Sequence, residues 1–159
     1  MTNLMTTNVE FRLTQHQIEL PHATSAVANY VPFVLSGNTV YISGQITVWN
    51  GELRYQGKLG ENLSVDEGYQ AARLCGLNLL AQLKSACGGD LNRAIRVIKL
   101  GGFVNCSPDF TDHPKVINGA SDLMLDVFGD AGRHVRLAVG ASSLPLGVAV
   151  EIDGIFEIT

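Results

Sequence analysis

The chain predicts an α+β domain, a mostly antiparallel mixed sheet covered on one face by two helices. Three patterns carry this. Val148, Val150, Ile152, Phe156 and Ile158 share one parity and Ala149, Glu151, Asp153, Ile155 and Glu157 the other, the alternation of a half-buried strand. Val65, Tyr69, Ala72, Gly76, Leu79, Leu80, Leu83 and Cys87 recur at three- and four-residue steps, which draws one stripe down a helix. Val116, Ile117, Ala120, Leu123, Met124, Val127 and Phe128 draw a second. The order is strands, helix, strand, helix, two strands, and a single helical layer on a sheet is its natural packing.

The elements follow in order. Residues 1–7 are polar and read as a mobile lead, and residues 8–20 carry enough apolar positions for one short helix or an arm. Residues 1–27 are thus expected to be an N-terminal arm or short helix and residues 28–159 a single domain. Residues 30–43 read as a hairpin, with Ser36-Gly37-Asn38 as turn chemistry and Pro32 marking an edge strand. Asn50-Gly51 is a two-residue turn signal, and Trp49 beside it is expected to pack at the sheet end. Ser64-Val-Asp-Glu67 has capping-box spacing, and Gly88-Gly89 closes the helix it opens.

Residues 94–104 are β-branched enough for an interior strand. Asp112 is expected to cap the second helix, with Pro114 in its first turn. Leu144-Pro145-Leu146-Gly147 reads as a tight reversal between a closing pair of strands. Two helices protect only one face of such a sheet. Ala138, Gly140 and Ile155 are expected on the other, and so small and apolar a surface predicts oligomerisation through it.

Composition bounds the function. With 159 residues, 46% hydrophobic and 16% charged, the chain has an ordinary globular make-up. A domain of this length buries roughly 70% of its unfolded surface. A formal charge of −4 supplies no general basic surface, which disfavours nucleic acid as a partner. No apolar run approaches the ~20 residues that span a bilayer, and residues 1–7 lack the basic and apolar regions of a signal peptide. Cys75, Cys87 and Cys106 show no CxxC spacing, so they are expected to be buried thiols in a reducing cytoplasm.

Familiar catalytic devices are missing: no GxGxxG after a strand, no Walker loop, no HExxH and no GxSxG elbow. His16, His22, His113 and His134 do not share ligand spacing, so no metal site is expected. His134 has the parity of Arg136 and could approach the same site, but a solvated turn histidine is the simpler reading. Arg136 and Glu151 both lie on the less apolar parity of their strands. Small residues follow Arg136 on its face, leaving room for a ligand against the sheet. On residue physics alone, a solvated strand face is the simpler account of this pair.

The segments Thr39-Val-Tyr-Ile-Ser-Gly-Gln45, Arg136 with Leu144-Pro145, and Val150-Glu-Ile152 together resemble the RidA/YjgF family of imine deaminases. An older name of that family is the L-PSP endoribonucleases. The resemblance spans about residues 28–158 and is to a longer branch of the family. It implies a chorismate-mutase-like protomer, a homotrimer, and pockets between subunits. By position it places the carboxylate-binding arginine on Arg136, the catalytic glutamate on Glu151 and the pocket tyrosine on Tyr30. Gly44 falls on a pocket-lining backbone position. Asn118 matches the helix asparagine after a one-residue insertion, and Ala138 stands where the family has a pocket cysteine. Residues 1–27, an insertion around 105–114, and Gly140, Ser142 and Ser143 depart from the usual pattern.

The implied activity is hydrolytic deamination of 2-imino acids, or their enamines, to 2-keto acids and ammonia. No cofactor is called for, because the imine is already electrophilic. The alternative is a non-catalytic trimeric binder or sensor of small carboxylates. Ribonuclease activity is suggested only by the older name, against the acidic composition and the absence of a histidine pair.

Overall fold

The computed structural model describes residues 8–25 and 28–159; the lead expected at residues 1–7 lies outside them. The first helix, α1 (Val9–Gln15), is capped by Asn8, whose Oδ1 accepts from the Phe11 N–H at 3.3 Å, and it buries Val9 and Leu13. Strands β1 (Phe33–Ser36) and β2 (Thr39–Gln45) form the expected hairpin, with β1 at the sheet edge. Strands β3 (Val48–Trp49) and β4 (Glu52–Leu53) pair around Asn50-Gly51, at φ 49° and 87°. Two successive positive φ values are the demand of a type I′ hairpin turn, which Asn-Gly meets at low cost. Trp49 packs against the core with the Arg54 guanidinium 5.6 Å from its ring centre.

The long helix α2 (Val65–Ala86) carries the predicted capping box. The Ser64 hydroxyl accepts from Glu67 N–H and the Glu67 carboxylate from Ser64 N–H, both at 3.1 Å. After β5 (Ala94–Asn105) comes α3 (His113–Phe128). Here one expectation fails: Asp112 makes no side-chain cap bond, and its carboxylate pairs instead with Lys115 at 3.4 Å. The two helices approach closely because their contact is built from small residues. The Gly119 backbone lies on the Tyr69 carbonyl with no room for a Cβ, and a Cβ on Gly76 would come within 2.9 Å of Leu123.

The five-stranded sheet runs β1-β2-β7-β5-β6, with β6 (Val135–Ala141) and β7 (Val150–Ile158). All pairings are antiparallel except β5 with β6. The closing strands are therefore not neighbours, because β5 lies between them. The Pro145–Gly147 3₁₀ turn, with Leu146 at φ 58°, does reverse the chain, but it spans the end of β5 rather than joining a hairpin. Turn chemistry specifies that a chain reverses, and it leaves open what lies between the two arms.

Phe156, Leu79, Leu80, Leu100, Ile117 and Ile152 are fully buried between helices and sheet. On the opposite face Val34, Tyr41, Phe103, Val135, Leu137 and Val139 are exposed, with Ile155 among them by register.

The expected placement of Ala138 and Gly140 on that face is corrected. Arg136 is paired with the buried Leu100, and Ala138 with Gly102, where a Cβ would strike Ile117 of α3. Arg136, Ala138 and Gly140 thus point to the helix side. As an edge strand, β6 sits at the rim of the helical layer, where a polar parity reaches solvent, so its apolar parity takes the uncovered face. That face is more apolar than the sequence reading supposed.

Candidate functional site

The predicted site residues fall into two groups on opposite faces of the sheet. The first surrounds Glu151. Register places Glu151 beside Phe103, on the face without helices. Its carboxylate lies over the backbone of Gly44, where any Cβ would collide with Oε1. That approach explains why the position suits glycine, and it occurs where the β2–β7 register shifts between Ile42 and Gln45. Burial pushes the Glu151 carboxyl above its ordinary range, and the neighbouring Asp153 carboxylate adds to the rise.

Glu151 and Gly44 line a cavity of about 430 Å³ together with Tyr30, Ser43, Asn78 and Gln82. The Tyr30 side is held by Ser43, whose hydroxyl donates to Val31 O at 2.8 Å and whose N–H donates to Pro32 O at 2.9 Å. Thr24 and Ser25 of the N-terminal segment complete the wall. The buried Gln82 holds that segment by donating Nε2 to Thr24 O at 2.7 Å. Tyr30, Gly44 and Glu151 are therefore brought together, as the sequence expected.

The second group surrounds Arg136, between β6 and α3. Its Nη1 donates to Ser121 Oγ at 3.0 Å and its Nη2 to Pro114 O at 3.4 Å. Pro114, Asn118 and Ser121 stand four and three residues apart on α3, one stripe of the helix facing the rim. Ala138 is two residues from Arg136 on the same face of β6. Arg136, Asn118 and Ala138 therefore share one region, and Glu151 is not in it within one chain.

His134 is not the solvated turn histidine expected. Its Nδ1 contacts Gly132 O at 2.6 Å, and a carbonyl only accepts, so Nδ1 carries the proton. Nε2 then accepts from Ser121 Oγ at 2.9 Å, and Ser121 accepts from Arg136. The histidine thereby sets the hydroxyl that orients the guanidinium. Ser121 was missed by sequence reasoning; its only signal was its place three residues after Asn118. Both partners of Arg136 are neutral, and among the described residues no carboxylate pairs with it. A half-buried, oriented cation without a counter-charge is a ready anion site.

Among the described residues no group of three His, Cys, Asp or Glu side chains is arranged to hold a metal. Among them, too, no helix is long and apolar enough to cross a membrane.

The sequence pattern of the family described as "YjgF/chorismate mutase-like, putative endoribonuclease" matches residues 10–155. A solved protein of unknown function from Agrobacterium tumefaciens is 48% identical, with a TM-score of 0.88 over 95% of this chain and 92% of that one. The protein TCP17 of Trypanosoma cruzi is 48% identical over 142 residues, 89% of this chain and 88% of its own. TdcF of E. coli, solved with bound serine, is 27% identical, with a TM-score of 0.62 over 89% of this chain and 98% of that one. The mostly antiparallel sheet with its one-sided helical layer is consistent with the chorismate-mutase-like fold of that family, and the chain belongs to the RidA/YjgF family.

Proposed function

We propose that the protein hydrolyses small 2-imino acids, or their enamine tautomers, to 2-keto acids and ammonia, in pockets shared between the subunits of a homotrimer. One observation carries this reading: the uncompensated Arg136 guanidinium, held in place by Ser121 and Pro114. Its remaining N–H groups match the two oxygens of a carboxylate, and charge-assisted bonds of that type are worth about 1.5–3 kcal/mol each.

Arg136 and Glu151 occupy opposite faces of one sheet, so the acid that completes the pocket comes from a neighbouring copy. The exposed apolar face around Phe103, Leu137 and Val139 supplies a surface on which copies can join. With the carboxylate fixed, the C=N carbon is fixed too, and positioning supplies much of the rate. Glu151 takes a proton from water as the oxygen bonds to the carbon of the protonated imine and the C=N pair moves to nitrogen, giving the carbinolamine. The same carboxyl returns that proton to nitrogen, the C–N bond breaks with its pair leaving as ammonia, and the hydroxyl proton passes back to Glu151 as the C=O forms, then to solvent. Tyr30 is placed to hydrogen-bond the water or the nitrogen. TdcF, a relative crystallised with serine, lends support to a small amino-acid-like ligand.

The test couples an amino-acid oxidase, which generates the imine, to semicarbazide, which traps it. The protein is expected to lower semicarbazone formation, and Arg136→Ala to abolish that effect. Semicarbazone formation unchanged by the wild-type protein across several amino acids would refute hydrolysis. A second reading, a carboxylate-binding module without turnover, is favoured by the distance of Glu151 from the Arg136 face within one chain. It predicts a keto-acid-dependent rise in melting temperature, lost in Arg136→Ala, with no imine consumed.

A further inference from the structure

The geometry points to a side-chain subsite in the Glu151 cavity, where the amide oxygens of Gln82 and Asn78 receive a neutral hydrogen-bond donor on the ligand, such as a carboxamide. The inference deepens the reading of that cavity as the reaction site, on which it rests, by naming the class of side chain taken there.

Asn78 and Gln82 stand one turn apart on α2 and both line the cavity. Asn78 is 2% exposed and Gln82 1%, so the two amides are out of bulk water. Their orientations are set by their amino groups. Asn78 Nδ2 donates to Val48 O at 2.7 Å, Leu74 O at 3.1 Å and Ile46 O at 3.3 Å. Gln82 Nε2 donates to Thr24 O at 2.7 Å. Carbonyls only accept, so nitrogen and oxygen cannot trade places in either amide.

Among the described residues neither amide oxygen receives a hydrogen bond. Neither is sealed off: among those residues Asn105 Oδ1 is the fully enclosed side-chain atom without a partner. Both oxygens thus keep an open side, and the cavity is the space that both residues line. Tethering Thr24 and residues 46–48 accounts for the two amino groups and leaves the two buried acceptors without a use. The wall beside them is fixed. Thr24 and Ser25 belong to a segment whose Ile18 and Leu20 pack on the core and whose His22 N–H donates to Asn50 Oδ1 at 2.8 Å.

The cavity, about 430 Å³, has the size of a small-molecule site. Pro32, Ile46, Val48 and Leu146 offer apolar wall to methylene groups, and the two oxygens call for N–H or O–H. A side-chain carboxylate would bring acceptors to acceptors and a like charge to Glu151. An ammonium would give up its hydration for two neutral oxygens, which is costly for a charge. A carboxamide brings two N–H donors to two acceptors and carries no charge.

The test measures binding of L-glutamine, L-methionine and L-glutamate to the full-length protein by calorimetry, and runs the semicarbazide assay on the imines of glutamine and methionine. Methionine is similar to glutamine in length but donates nothing from its side chain. Glutamate has the same shape but, ionised, only accepts. Glutamine is expected to bind about tenfold tighter than either, and its imine to be consumed about tenfold faster than that of methionine. Gln82→Met, which keeps the volume and removes the amide, should bring the glutamine-to-methionine ratio to about one. Loss of the Thr24 tether alone would weaken both equally and leave the ratio standing.

Equal affinity of the wild-type protein for glutamine and methionine, tighter binding of glutamate, or a ratio untouched by Gln82→Met overturns the inference. Imines consumed without side-chain preference confine the failure to the subsite and leave hydrolysis standing. Glutamine preferred in binding with no imine consumed supports the subsite and refutes hydrolysis instead. Neither binding nor consumption of any of them overturns both.

Discussion

Glu151 carries the sharpest consequence at the scale of single residues. Its carboxyl is raised by burial, with help from Asp153, and no described cation opposes the rise. A carboxyl whose folded pKa exceeds its unfolded value stabilises the fold below the unfolded value. It loses that contribution as pH climbs through the folded one. Glu151→Gln, which stays neutral, is therefore expected to melt higher than the parent at neutral pH and to converge with it in acid, as followed by thermal unfolding across pH. A variant that melts lower than the parent at every pH would contradict the assignment.

Sequence and structure diverge most at this scale. Gly44 and Glu151 were legible because their motifs are local to β2 and β7, and Tyr30 because it lies at a fixed count before the β2 motif. His134 shared the parity of Arg136, so its approach could be read, but the link through Ser121 could not, since Ser121 lies on a helix that no spacing rule relates to β6.

Among the elements, the α2–α3 pair bears most of the architecture. Both stripes could be read from apolar periodicity, because a 3.6-residue repeat survives whatever the helix packs against. The capping box at Ser64 was equally legible, since its partners lie three residues apart. The closeness of the helices was not. It depends on Gly119, which interrupts no pattern, lying against the Tyr69 carbonyl of the other helix. Gly119→Val forces the backbones apart and is expected to destabilise the protein by about 3 kcal/mol or more, through overpacking against atoms that cannot rotate away. Denaturant titration measures this, and a loss below about 1 kcal/mol would show that the interface yields.

The edge strand β6 teaches the converse lesson. Its alternation was plain in sequence, yet the parity facing the helices was misassigned. Alternation separates two faces without saying which is covered, and at a sheet edge the polar set can be the covered one.

The whole molecule presents a sheet clothed on one side and apolar on the other, with a cation at one rim and an acid on the bare face. The shortage of helices led the sequence to predict self-association through that face, and the exposed apolar residues that lie there include Val135, Leu137 and Val139 rather than Ala138 and Gly140. The proposed trimer makes each pocket from Arg136 of one protomer and Glu151 of the next, which neither subunit can supply alone. Inactive Arg136→Ala and Glu151→Gln proteins, unfolded together in equal amounts and refolded, test this most directly in the imine assay. With random assembly about a quarter of the pockets receive both intact residues, so about a quarter of the parental activity should return. A mixture as inactive as either variant, despite verified mixed assemblies, would contradict a site shared between subunits.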